Sequence, residues 1–401
     1  MKTTLIERLH RYCSFATGSD PKSSSTPSTP EQSQFLNMLS DELNEFGAED
    51  ILIDQSAILY CTIPATDPAV KTVVGMIAHV DTSPDAPSDN IKPIIHPDYD
   101  GKELRLPHLT LSPKEFPELE LFKGHTLITS DGSTLLGADD KAGVAILLSL
   151  LEYLKDNKEI KHGKIRLAFT TDEEIGKGAD LFDLDIFGAD FAYTFDSGGI
   201  GFLERENFNA AGAVVTIKGK NIHPGYAFNK MINAANIATS YSEMIFAPNP
   251  AQSKGRMGFI HLNEINATVE LAKLGFIIRA FDMDEFEGYK QQLIDLAGAL
   301  KMQYAGAEID VTITDQYENM ATYIPDYVVD IARDAIREAG LEPTELPIRG
   351  GTDGARLSVM GLPTPNLFTG GMNFHSKAEY CSVEAMVKAL EVATIIAKTV
   401  K

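Results

Sequence analysis

The chain has 401 residues, 44% of them apolar and 23% charged, an ordinary balance for a soluble globular protein and enough for two domains. Its 35 basic residues against 57 acidic ones leave a net charge of −22, which argues against nucleic acid or an anionic membrane surface as a partner. No segment approaches the ~18 consecutive apolar residues of a membrane span, and the scattered Cys13, Cys61 and Cys381 make neither a disulfide framework nor a CxxC metal site.

Met1 to Ala16 reads as an amphipathic helix without the apolar core and cleavage site of a secretory signal, so a cytoplasmic protein is expected. Gly18 to Pro30, rich in Ser, Thr and Pro, is a loop ending in a helix start. There Thr29 is the N-cap, Pro30 takes the first position and Gln32 stands three after the cap. The helix runs to about Phe46 on a face of Phe35, Leu36, Met38, Leu39 and Leu43. Ile51–Ile53 and Ala57–Ile63 read as paired strands. Val73 to Ala78 is a buried strand closed by His79, and a long polar, proline-rich region covers Pro84 to Lys123. An apolar helix follows Asp139-Asp140 to about Leu154, and strands lie near 164–171 and 190–195. This alternation predicts an α/β sheet with helices on both faces.

Around Glu206 the pattern changes. Ala213–Gly219 reads as a strand, Met231–Phe246 as a helix, Ala267–Phe281 as a strand, Glu285–Ala299 as a helix and Ile309–Thr314 as a strand, a β-α-β-β-α-β-like unit. A helix over 326–339 and the segment 344–401 resume the first pattern. The expected division is a catalytic domain of 1–206 and 316–401 interrupted by an inserted domain of 207–315.

Acids and histidines gather where apolar runs end. His79 and Asp81, two apart at a strand end, face the same way; they suit a metal-ligating imidazole held by a carboxylate, or a solvated turn. Asp139-Asp140 before a helix are either an N-cap pair or a carboxylate shared by two metals. Asp172-Glu173-Glu174 close a buried strand, where adjacent like charges are costly unless a cation offsets them. One glutamate could then bind metal while its neighbour accepts a proton from water. Asp196, closing Phe191–Phe195, and His375, in a late loop, complete a set of oxygen and imidazole donors that Zn²⁺ accepts. Strand ends of this kind meet at the carboxyl edge of a sheet. Similar ligands occur in two-metal phosphatases and nucleases, but no phosphate-cradling basic cluster accompanies them here.

At these residues the chain resembles the co-catalytic dizinc peptidases of the carboxypeptidase-G and aminoacylase type. The likeness is carried by His79 to Asp85, Thr126 to Gly132, Leu135 to Gly143, Asp172 to Gly178, His223-Pro224-Gly225, Ile348 to Gly354 and Pro365 to Gly371, and it runs nearly end to end. It implies a zinc-peptidase-type mixed sheet flanked by helices, with an inserted smaller α+β, ferredoxin-like lid domain. It also implies two Zn²⁺ per chain, one held by His79 and Asp196, the other by Glu174 and His375, with Asp139 bridging and the Asp139–Asp140 peptide cis. Asp81 would orient His79, and Glu173 would be the general base that generates a hydroxide between the metals. His223 would donate to the oxyanion, from the same chain or from a second copy in a homodimer formed through the inserted domain. Arg279 and Arg349 are the candidates for a substrate carboxylate, which a planar guanidinium fork fits. Within the family the likeness is greatest to tripeptide aminopeptidases, which implies hydrolysis of the N-terminal peptide bond of tripeptides. Another dizinc amide hydrolase (dipeptidase, carboxypeptidase or N-acyl amino acid deacylase) and an inactive binding homologue are the alternatives. Ser376 stands where the family has glycine, Ala378 where it has a larger residue, and Ala280 where an acid follows the arginine. These departures bear on substrate fit, since none removes a ligand or the base.

Overall fold

Apolar runs without polar alternation need cover on both faces. In the computed structural model, which describes residues 1–400, such runs form the middle of an eight-stranded sheet. Val74–His79 and Ile165–Thr170 are buried throughout and pair in parallel, with Val74 opposite Ile165 and His79 opposite Thr170. The full order is Glu49–Ile53, Leu59–Ile63, Ile165–Thr170, Val74–His79, Phe191–Ser197, Asn366–Phe368, Phe202–Glu204 and Thr344–Glu345. The strands from Ile165–Thr170 to Asn366–Phe368 are parallel, while Leu59–Ile63 runs antiparallel to both its neighbours.

The helix Ala138–Asp156 packs on Val74–His79 and against the helices Lys2–Cys13 and Val383–Thr399. It is buried from Ala138 to Leu151, as an all-round apolar helix requires. The N-terminal helix buries Leu5, Arg8, Leu9, Tyr12 and Cys13; the buried Arg8 meets Ser149 Oγ at 2.7 Å and Glu152 at 2.9 Å. One segment adds a strand to the expected pattern, and one expected cap is absent. The polar region 84–123 contributes Ile94–His96 to a four-stranded antiparallel sheet with Leu127–Thr129, Tyr380–Ser382 and Gly371–Met372. The capping box at Thr29 is not made: its hydroxyl donates to Gly18 O at 2.9 Å, and Gln32 turns to Asp172. A buried carboxylate offers the Gln32 amide a stronger acceptor than the helix terminus does.

These elements make one compact unit, Met1–Arg205, Met320–Leu346 and the described residues from Thr352 onward; Glu206–Asn319 with Pro347–Gly351 makes another. Pro347–Gly351, expected with the first, goes with the second because Ile348 N donates to Glu206 O at 2.8 Å and Arg349 binds Gly255 O and Ser253 Oγ.

The second unit runs Asn209–Lys218, helix Ala234–Glu243, Phe259–Ala267, Leu271–Ala280, helix Met283–Gln303 and Glu308–Tyr317, in β-α-β-β-α-β order. Its antiparallel sheet has the order Phe259–Ala267, Leu271–Ala280, Asn209–Lys218, Glu308–Tyr317. Both helices pack on it, over Ala272, Leu274, Phe276, Ile278 and Ala280. The single strand expected over Ala267–Phe281 is one arm of a hairpin whose other arm, Phe259–Ala267, is too polar and exposed to carry an apolar signal. Among the described residues no helix is long and apolar enough to cross a membrane.

Candidate metal centre

Parallel strands share one carboxyl edge, and His79, Asp81, Glu173, Glu174 and Asp196 stand at that edge of three adjacent strands. The turn after Ile165–Thr170 depends on Asp172, whose backbone is left-handed at φ 59°. Its buried carboxylate holds that conformation by accepting from Ser28 N at 2.7 Å, Ser28 Oγ at 2.5 Å and Gln32 Nε2 at 2.7 Å. The next two amides are held by Asp81, with Oδ1 3.1 Å from Glu173 N and Oδ2 3.2 Å from Glu174 N. Asp81 Oδ1 also lies 3.3 Å from His79 Nδ1. The fully buried Asp81 thus meets the imidazole through its carboxylate and through its backbone O, 3.1 Å from His79 Nδ1, and holds the backbone of two glutamates.

Asp139 lies between two imidazoles. Its Oδ1 is 2.9 Å from His79 Nε2 and its Oδ2 is 3.3 Å from His375 Nε2. Asp196 Oδ1 is 3.5 Å from His79 Nε2, and Glu174 Oε2 is 2.8 Å from His375 Nε2. The ligand atoms of His79, Asp139 and Asp196 lie within 4.8 Å of one another, and so do those of Asp139, Glu174 and His375. The two groups share Asp139. The Asp139–Asp140 peptide is cis. Asp140 turns its carboxylate away, accepting from His79 N at 3.2 Å and Gly143 N at 3.0 Å, so the adjacent acids have separate surroundings.

The electrostatics call for positive charge. Burial disfavours the imidazolium form of His79, but Asp196, Asp139 and Asp81 outweigh it and hold its pKa well above the usual value. Asp139 and Glu174 push His375 up to about 11. Burial alone would raise Asp139, yet its contacts with His375 and His79 bring it below the ordinary carboxylate range. The other acids move up. Burial and then the charge of Asp139 take Glu174 to about 7 and raise Asp196 well above normal. Burial raises Glu173 strongly, and Asp196, Asp353 and Glu174 add to it against the opposing pull of His79. The carboxyls here outnumber the imidazoles, and their full ionisation needs cations that would displace the imidazolium protons. One atom points to the same need: Glu174 Oε1 is buried with no hydrogen-bond partner among the described residues, a costly state that a cation would relieve. The donors, carboxylate oxygen and imidazole nitrogen without thiolate, suit a divalent ion such as Zn²⁺.

Some residues of the site were not foreseen. Asp85 Oδ2 lies 3.3 Å from His375 Nδ1. Asp353 accepts from Thr170 Oγ1 at 2.6 Å and donates its backbone N–H to Glu173 Oε1 at 3.3 Å. The buried Glu379 accepts backbone N–H groups of Leu136, Gly137 and Asp139. Its signal in the sequence is a lone acid inside the otherwise apolar Ala378-Glu379-Tyr380-Cys381. Ser376 Oγ donates to Asn373 O at 2.7 Å and accepts from Ala378 N at 3.1 Å, closing the turn around His375, itself at φ 59°.

His223, Arg279 and Arg349 belong to the second unit. His223 Nδ1 accepts from Gly225 N at 3.2 Å. Arg279 donates to Ala211 O at 3.3 Å and Ile278 O at 2.9 Å and lies over Tyr317. Arg349 lies over Phe208.

A family model described as peptidase family M20/M25/M40 matches residues 128–399. Peptidase T of Geobacillus thermodenitrificans (strain NG80-2) is 50% identical over 405 residues, spanning 99% of this chain and 98% of that protein. Peptidase T of Bacillus subtilis (strain 168) is 48% identical over 404 residues with the same coverage, 99% and 98%. Among solved structures, the aminopeptidase PepT of Bacillus cereus ATCC 10987 superposes with a TM-score of 0.80 at 24% identity, covering 100% of this chain and 99% of that one. A dinuclear metal-binding M20 peptidase of Bacillus subtilis has a TM-score of 0.66 at 16% identity, covering 99% and 97%. The likeness to both structures is one of fold.

Proposed function

The chain belongs to peptidase family M20/M25/M40, and from that premise we propose that it is a two-zinc aminopeptidase that removes the N-terminal residue of tripeptides. The observation that carries the two-metal reading is Asp139, which offers one oxygen toward each imidazole. His79, Asp139 and Asp196 would hold one Zn²⁺, and Asp139, Glu174 and His375 the other. Bound there, the ions would lower the pKa of water and polarise the scissile carbonyl.

Glu173 is the proposed general base, taking the proton of the attacking water and passing it to the leaving amine. Burial raises its affinity for a proton, which suits a group that takes one from water and passes it on. The Asp353 N–H and the Asp81 carboxylate keep its side chain and backbone in place. His223 is the proposed oxyanion donor. Its Nδ1 already accepts from Gly225 N, so a neutral ring carries its hydrogen on Nε2. Arg279 and Arg349 are proposed for the peptide's terminal carboxylate, through their planar forks.

We further place the protein in the cytoplasm, in the breakdown of small peptides. Buried unpaired thiols at Cys13, Cys61 and Cys381 accord with a reducing compartment. A homodimer through the second unit belongs to the same reading.

The test is an assay of the zinc-loaded chain on free tripeptides, the same tripeptides N-acetylated, and dipeptides, with zinc content measured in parallel. Release of the first residue from free tripeptides, with two zinc ions per chain, is expected. Equal cleavage of free and acetylated forms would end the aminopeptidase reading.

A further inference from the structure

We propose that Glu379 is a positioning residue that fastens the segment before Asp139 to the loop of His375, and so sets the spacing on which metal binding depends. This inference rests on the two-metal reading above. Glu379 is 1% exposed, yet among the described residues no cation forms an ion pair with its carboxylate. Its Oε2 accepts from Leu136 N at 2.7 Å and Gly137 N at 2.9 Å, and its Oε1 accepts from Asp139 N at 3.1 Å. All three N–H groups precede the regular turns of the helix, where backbone donors lack intrahelical partners. The turn there is tight, with Gly137 at φ 77°. Successive amides converging on one acid form an anion-binding concavity, and this side chain fills it.

The other end of the connection leads to His375. Glu379 N donates to Ser376 O at 3.2 Å, and the turn from Asn373 to Ala378 closes through Ser376 Oγ. Immediately after, Tyr380 pairs with Thr129 in a sheet, which fixes the direction from which Glu379 enters. Asp139 and His375 are far apart in the chain, and Glu379 joins them through four residues on one side and the hydrogen bond its carboxylate accepts from Asp139 N on the other. A residue that only satisfied buried amides would affect stability alone. One that sets the distance between two ligands also changes metal affinity.

Glu379→Gln separates these roles. A carboxamide has a single accepting oxygen; with that oxygen on Leu136 and Gly137, its NH₂ group faces the Asp139 N–H, donor against donor. Glu384→Gln is the control, since the Glu384 carboxylate also accepts a backbone N–H, from Thr126 at 2.7 Å, but touches none of the site. The full chain of wild type and both variants is stripped with a chelator and titrated with zinc against a chromophoric competitor. The visible absorption of each Co²⁺-loaded form is recorded as well. The expected result is a 10–100-fold loss of affinity for at least one metal in Glu379→Gln with an altered Co²⁺ spectrum, and wild-type values for Glu384→Gln. Wild-type affinities and spectrum in Glu379→Gln, whatever its melting temperature, would overturn the proposal. Should that variant not fold, Glu379→Asp, which keeps the charge and both accepting oxygens but shortens the side chain, is read in the same way: weakened zinc binding with an altered Co²⁺ spectrum is expected, and wild-type values refute the lock. A wild type that takes up no zinc would instead remove the two-metal reading itself.

Discussion

In the eight-stranded sheet, Val74–His79 and Ile165–Thr170 expose neither face, whereas in the four-stranded sheet Leu271–Ala280 buries every second residue and leaves the others at least partly open. The first sheet is covered on both sides, so a polar group there has no solvent to turn to and must stand at a strand end among partners. His79, Asp81, Glu173, Glu174 and Asp196 are such groups. The second sheet is antiparallel with helices on one face only, so Lys273 and Val214 meet solvent without any special arrangement. The contrast teaches where chemistry can be built. A buried edge concentrates charge and raises or lowers pKa values, while a half-open sheet dilutes it.

The sharpest break would come at the buried edge. Glu173→Gln removes a proton acceptor but no proposed metal donor, so kcat should fall about 10²–10⁴-fold with zinc content unchanged. Near-normal turnover, or loss of zinc, would show that the edge residue has another task.

In the half-open sheet the expected effects concern stability and depend on the face. Leu274→Ala, on the covered face, should cost about 2–5 kcal/mol in the unfolding of the second unit. Val214→Thr, at a position 46% exposed, should change it by less than about 0.5 kcal/mol. Chemical denaturation of the two variants measures both, and equal effects would dissolve the contrast.

A further test concerns an acid of the first sheet that lies apart from the imidazoles. Burial pushes Glu204 up to about 7, against the hydrogen bond from Asn366 Nδ2 at 2.9 Å, which favours its charged form. Between pH 4.5 and about 7 the folded chain keeps this proton while the unfolded chain has lost it. Stability from this group is therefore full below pH 4.5 and is lost as pH rises through 7. Glu204→Gln keeps an acceptor for Asn366 Nδ2 and should stabilise the chain by about 1–3 kcal/mol at pH 8, with no gain near pH 4.5. Thermal unfolding across that range reads the difference; a gain independent of pH would place its origin elsewhere.

Much of this was legible along the chain. Runs such as Val74–Ala78 and Ile165–Phe169 announce strands covered on both sides, and acids at their ends announce groups needing compensation. The inserted unit showed in its change of pattern near Glu206. Less legible were the short strands between Ile94 and Leu111, whose two or three residues carry no period, and the exposed arm Phe259–Ala267. Pro347–Gly351 was misplaced because its attachment is made by single hydrogen bonds, to Glu206, Ser253 and Gly255, that leave no mark on composition.

The residue order by itself determined which segments must be buried, which way their side chains alternate, and which acids and histidines end at a sheet edge. Only the tertiary structure decided that Asp140 turns to backbone amides, that Asp81 also holds the amides of both glutamates, and that Glu379 accepts the Asp139 N–H. The physical reason is separation. Periodicity reports neighbours a few residues apart, whereas the contact of His79 with Asp139 spans 60 residues and that of Glu379 with Asp139 spans 240. Groups at such separations are brought within 3 Å or so by the packing of whole elements, and hydrogen-bond strength at that range changes with tenths of an ångström.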